Sequence, residues 1–118
     1  MRSRAAKVLE LVVFRLNEGV TRDQLLGTAG AVSTWIAGQP GFISRELSYD
    51  AEGDRWVEVV WWQTVADARA AAERAITSES CAPMFALIDM ASALMLHGEA
   101  AIAPVHATPR ATGAPAGR

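Results

Sequence analysis

Residues 55–63 read RWVEVVWWQ and residues 8–16 read VLELVVFRL. Each is dense in β-branched and aromatic side chains, apolar at nearly every position, and too short for a globular helix, so each is expected to be a strand with both faces covered. Outward from these two runs the punctuation is regular. Asn17-Glu18-Gly19 ends the first strand, and Thr21 followed by Gln24 has capping-box spacing. Leu25, Ala29, Val32 and Ile36 then recur at helical spacing, widened by Leu26 and Ser33, until Gly38 and Gln39-Pro40-Gly41 stop the helix. Phe42 to Tyr49 is expected as a second strand, turning through Asp50-Ala51-Glu52-Gly53-Asp54 with Gly53 supplying a positive φ.

Beyond Gln63, Thr64 with Asp67 starts a second helix whose inward stripe is Val65, Ala68, Ala72 and Ile76, with Arg69 and Glu73 pairing outside. Ser80 to Asp89 is expected as a short extra helix with Pro83 in its first turn and Met84, Phe85 and Ile88 inward. Ala93 to Glu99 is the fourth strand. Residues 1–7 form an arm, 8–99 the domain, and 100–118 an Ala/Pro/Gly-rich tail without an apolar period, expected to be disordered.

The 118 residues are 51% hydrophobic and 20% charged with net charge −2, enough for one core and without the basic stripe of a nucleic-acid binder. One cysteine, Cys81, excludes a disulfide framework or thiolate metal cluster. No run approaches the roughly 20 apolar residues of a membrane span. Neither a cleavage pattern nor a phosphate-cradling glycine loop is visible. The expectation is a soluble cytoplasmic domain with no metal, nicotinamide or flavin cofactor.

An order of β-α-β-β-α-β with right-handed crossovers gives an α+β, ferredoxin-like sheet of order 4-1-3-2, both main helices on one face. Strand alternation divides Leu9, Leu11, Val13, Val57, Val59 and Trp61 from Glu10, Val12, Phe14, Leu16, Trp56, Glu58, Val60 and Trp62. The first set, free of charge, is assigned to the helices. The second then makes an uncovered face of roughly 400 Å², more than a monomer leaves in water, so two copies are expected to pack sheet to sheet around a cavity.

The run RLNEGV after the first strand, the QPGF turn, and Trp62 ahead of a Thr-capped helix make Lys7 to Glu99 resemble the dimeric α/β-barrel superfamily, specifically antibiotic biosynthesis monooxygenase-like domains. That resemblance implies a homodimer. It spans cofactor-independent quinone-forming oxygenases, haem-degrading enzymes, polyketide cyclases and members without known activity. Of the haem-degrading features only Trp62 is matched: Phe14 falls near the asparagine position and Cys81 to Ile88 holds no histidine.

Placing the third strand parallel to the first puts His97, Glu10 and Glu58 in a row across three strands, provided His97 shares their face. Close carboxylates in an apolar cavity push one pKa up and favour imidazolium, a candidate acid–base cluster. The alternative is structural pairing with Arg15, Arg45 or Arg55. Trp62 and Trp56 are either packing or a wall for an aromatic ligand, and Asn17 either a turn residue or a substrate donor. The resemblance implies a cofactor-independent monooxygenase acting on an aromatic or polyketide-like molecule and O₂. In it, His97 backed by Glu10 deprotonates the substrate, while Val12, Phe14, Val60 and Trp62 exclude water. Cyclase or isomerase chemistry in the same pocket, or ligand binding without catalysis, are the alternatives.

Overall fold

In the computed structural model, which describes residues 6–109, the elements are β1 (Val8–Leu16), α1 (Arg22–Ala37), β2 (Phe42–Asp50), β3 (Arg55–Trp62), α2 (Val65–Ile76), α3 (Ala82–Phe85) and β4 (Ile88–Glu99). The sheet order is β2-β3-β1-β4, the expected ferredoxin-like arrangement. Every neighbouring pair is antiparallel, β1 with β3 included. This corrects the parallel placement of the third strand. The right-handed β1-α1-β2 crossover makes those two strands parallel, and the hairpin that follows reverses β3 against both.

Local signals explain the helix starts. Thr21 Oγ1 accepts from the Gln24 backbone N–H at 3.1 Å while Gln24 Oε1 accepts from the Thr21 N–H at 2.8 Å, a complete capping box. Thr64 Oγ1 accepts from the Asp67 N–H at 3.0 Å and opens α2. Leu25, Val32 and Ile36 are the buried stripe of α1, and Ala68 and Ala71 that of α2. Ile76, expected inside, is 76% exposed at the last residue of α2. In the β2–β3 turn the positive φ belongs to Asp54 rather than Gly53. A Cβ at Gly53 would lie 2.7 Å from Asp50 Oδ2 and 2.8 Å from Arg55 Nε, so a side chain there would displace the Asp50–Arg55 ion pair.

Helix α3 is one turn, not the ten residues expected, and β4 starts earlier, with Ile88 opposite Leu16 and Asp89 opposite Arg15. Between Val13 and Arg15 the β1–β4 register shifts. Ser92 Oγ closes the bulge, accepting from the Arg15 N–H at 2.8 Å and donating to the Asp89 carbonyl at 2.6 Å. Five residues of β4 thus pass two of β1. The odd-numbered excursion carries the cavity-side phase from Ile88 over to Met95 and His97.

The faces are inverted relative to expectation. Val8, Phe14, Trp56, Val60 and Trp62 are buried with Leu25, Val32, Ile36, Ala68, Ala71 and Met84 under the helices. Glu10 lies there too, 8% exposed. The physical reason is bulk plus pairing. This side carries the larger aromatic volume, and its charges are matched inside it, so they do not drive it into water. Leu9, Leu11, Val13, Val57, Val59 and Trp61 therefore form the bare face, extended by Leu94 (58% exposed) and Leu96 (43%) of β4 and edged by Ser44, Glu46 and Ser48 of β2.

Residues 101–109 are exposed and without helix or strand, while the rest of the expected tail, 110–118, and positions 1–5 of the arm lie outside the described residues. Among the described residues no helix is long and apolar enough to cross a membrane.

Gly41 is the tightest backbone position: its φ is +82°, and a Cβ there would lie 2.1 Å from Asp67 Oδ2. Gly41→Ala should lower unfolding free energy by about 1–3 kcal/mol in urea titration. Adding Asp67→Ala should recover part of that loss, because the contacts with Oδ2 and Cγ are then gone while the one with the residue 67 Cβ, at 2.7 Å, and the dihedral cost stay.

Candidate active site

Between the sheet and the helices lies a cavity of about 370 Å³ within one chain, at the small end of ligand pockets. Most of the residues expected to line a chamber between two sheets line this one, since that set faces the helices. Its floor is Glu10, Val12, Phe14, Glu58, Val60 and Trp62, with Arg45 at one side; Val32, Trp35 and Ile36 of α1 and Met84 and Phe85 of α3 roof it. Met90, Met95 and Ile76, all largely exposed, line its rim.

The strand register places His97 (β4), Glu10 (β1), Val60 (β3) and Arg45 (β2) in one transverse row. Glu58 sits opposite Val12, one step along, so the three-residue row of His97, Glu10 and Glu58 becomes a pair with Glu58 on the diagonal. Antiparallel pairing of β1 and β3 is the cause.

Glu10 is held by Oε1, which accepts from the Trp62 indole Nε1–H at 2.9 Å and faces His97 Nε2 at 3.5 Å. No hydrogen bond from the described residues reaches Oε2. The Glu10 carboxyl is held above its ordinary pKa, first of all by burial. The Trp62 hydrogen bond and the His97 charge pull it back, and the Glu58 charge pushes it up. His97 Nε2 itself is buried without a hydrogen-bond partner, and His97 is not part of the cavity lining. Glu10 thus lines the cavity and His97 stands behind it, the reverse of the expected placement.

Glu58 is paired with Arg45 Nε. The same guanidinium donates from Nη1 to the Ala29 carbonyl (3.1 Å) and Ser33 Oγ (2.7 Å), tying β2 to α1. Arg45 went unrecognised as a lining residue, although Ser44, Glu46 and Ser48 mark the outer face of β2 and leave this arginine on the inner one.

Two expected ligand contacts lie elsewhere. Trp56 is buried beyond the cavity against Tyr49, with the Arg22 guanidinium 5.4 Å from its ring. Asn17 Nδ2 donates to the Ala86 carbonyl at 3.0 Å and its backbone N–H to the Leu87 carbonyl at 2.8 Å, tying β1 to the segment after α3.

No family model matches this sequence, and no curated protein matches it significantly. Solved structures share its fold. A point mutant of SnoaB, a cofactor-independent oxygenase from Streptomyces nogalater, aligns at 17% identity over 84% of this chain and 97% of its own, TM-score 0.63. A dimeric ferredoxin-like protein of unknown function from Thermobifida fusca aligns at 16% identity over 85% and 96%, TM-score 0.66. A heme-degrading protein from Mycobacterium tuberculosis aligns at 17% identity over 87% and 100%, TM-score 0.63. The ferredoxin-like fold of these proteins is the fold of this chain.

Such a fold hosts several chemistries, so the lining decides between them. It contains no histidine, and its thiol, Cys81, is fully buried. Among the described residues no group of three His, Cys, Asp or Glu side chains is placed to hold a metal ion.

A raised Glu10 pKa means the folded state binds this proton more tightly than the unfolded chain. Stability from this group is complete below the ordinary glutamate value of 4.5 and is lost as pH rises through the folded pKa. Glu10→Gln should flatten that pH dependence in chemical denaturation. Trp62→Phe, which removes the hydrogen bond that lowers the pKa, should extend it to higher pH.

Proposed function

We propose that this chain is a cofactor-independent monooxygenase acting on an aromatic or polyketide-like small molecule held between its sheet and helices. The observation that carries the reading is a carboxylate lining a largely apolar cavity without an arginine partner, one oxygen tied to an indole and the other without a hydrogen bond from the described residues, whereas the second carboxylate, Glu58, is paired with Arg45. Burial makes Glu10 a stronger base than a carboxylate in water, within reach of a weakly acidic phenol or a carbon between carbonyl and ring.

Glu10 Oε2 takes the substrate proton, leaving an electron pair delocalised into the ring system. The indole N–H holds Oε1, with the His97 imidazole 3.5 Å from the same oxygen, and this restricts the direction of Oε2. The electron-rich carbanion adds O₂, and the proton returns to give a hydroperoxide on carbon. Loss of the second C–H proton and cleavage of O–O then release water. In sum, a ring CH₂ and O₂ become a carbonyl and water; carbon supplies the four electrons. Val12, Phe14 and Val60 keep water from the anion while admitting O₂. The fold shared with SnoaB supports this choice of reaction.

The assembly proposed with it is a homodimer. The bare face presents eight apolar side chains across β1, β3 and β4, more than a monomer keeps in water, and a second copy offers the matching surface about a two-fold axis. The Thermobifida fusca neighbour is described as dimeric.

With anthrone as probe, oxygen consumption should match quinone formation one to one, and Glu10→Gln should cut the rate about 10²–10⁴-fold. Turnover without O₂ would reassign the pocket to aldol-type cyclisation or isomerisation; ligand binding without turnover would make it a carrier. Sedimentation velocity should give a dimer that Leu11→Asp dissociates.

A further inference from the structure

Resting on the cavity reading above, we propose that Arg45 is a specificity-determining residue whose Nη2 donates to a carbonyl oxygen of the ligand, remote from the hydroxyl or C–H acid that meets Glu10. A guanidinium carries five N–H donors. Three are spent on oxygen: Nε on Glu58, and Nη1 on the Ala29 carbonyl and Ser33 Oγ. Both donors of Nη2 have, among the described residues, only the Met84 thioether at 3.7 Å, a weak acceptor. The side chain is 6% exposed, so bulk water does not make up the difference. It also lines the cavity.

The cavity therefore holds two unspent polar functions of opposite kind. Glu10 Oε2 accepts, and Arg45 Nη2 donates. They rise from the two strands flanking β3, on the same face and in the same row, with the Val60 side chain between them. Two strand spacings separate their backbones, roughly 10 Å. The complementary ligand is flat and apolar in the middle, acidic at one end and a hydrogen-bond acceptor at the other.

Glu58 explains why the acceptor should be a neutral carbonyl rather than a carboxylate. Its charge already balances the guanidinium, so a further anion would be repelled, whereas a ketone oxygen needs only the donor. Arg45 is fixed to α1 before any ligand arrives, so its orientation is set in advance.

The test uses three naphthalenes and quenching of cavity tryptophan fluorescence. 6-Acetyl-2-naphthol has both functions, 2-naphthol only the acid and 2-acetylnaphthalene only the acceptor. The wild-type chain should bind 6-acetyl-2-naphthol about tenfold more tightly than 2-naphthol, the size of one hydrogen bond from a charged donor. Arg45→Met combined with Glu58→Gln removes both charges together, avoiding a stranded buried carboxylate. In that variant, with its circular dichroism unchanged, the tenfold gap should close while 2-naphthol affinity holds. Equal affinity for the two naphthols in the wild type, or a gap that survives the double substitution, overturns the role of Arg45 and leaves the Glu10 reading standing. Absence of binding by either naphthol overturns both. Should the double variant not fold, 2-acetylnaphthalene decides on Glu10→Gln: its binding should persist there, and its failure to bind either this variant or the wild type overturns the assignment.

Discussion

A carboxylate removed from water must be given hydrogen-bond donors or it will pull its strand back to solvent. Glu10 satisfies that demand through Trp62, 52 residues away in the chain, and this one contact constrains much of the molecule. It is possible only if Glu10 and Trp62 share a face, and it is sheltered only if the helices lie over that face. The same face then takes Phe14, Trp56 and Val60 into the core, and the uncharged set of β1 and β3 is left outside.

How far the chain could be read without coordinates follows from which forces are local. The element order, the capping box at Thr21, the Thr64 cap and the Leu25–Val32–Ile36 stripe all depend on residues a few positions apart, and they stand as expected. The choice of sheet face depended on something non-local. Both faces are greasy, and a glutamate on one of them argues for solvent until its indole and guanidinium partners are known. Glu10 and Glu58 find theirs on other strands. Chain direction was the other gap. Deducing that β3 runs against β1 requires following the crossover and then the hairpin, and missing that reversal moved Glu58 from a diagonal to a row position.

The site itself shows how little polarity a cavity needs to become directional. Arg45 and Glu58 neutralise one another and brace β2 and β3 against α1, while the remaining guanidinium nitrogen faces sulfur. Glu10 and His97 sit at the opposite side, one on the wall and one behind it. Everything between is hydrocarbon or ring. A neutral molecule can enter such a space at small desolvation cost, and charge created inside it has few places to go, which suits a reaction that passes through an anion.

The irregularity where Ser92 caps the Arg15 amide sets the reading frame of the last strand. Upstream, even-numbered positions such as Ile88 point toward the cavity side; downstream, odd-numbered ones such as His97 do. A strand of unbroken pleat would turn Leu94 and Leu96 inward and present the imidazole to the outer surface. One hydroxyl therefore arbitrates between a sheet whose exterior is oily with a histidine inside, and its mirror assignment. One residue more or less within the bulged part of β4 would exchange those outcomes without touching any residue of the cavity floor.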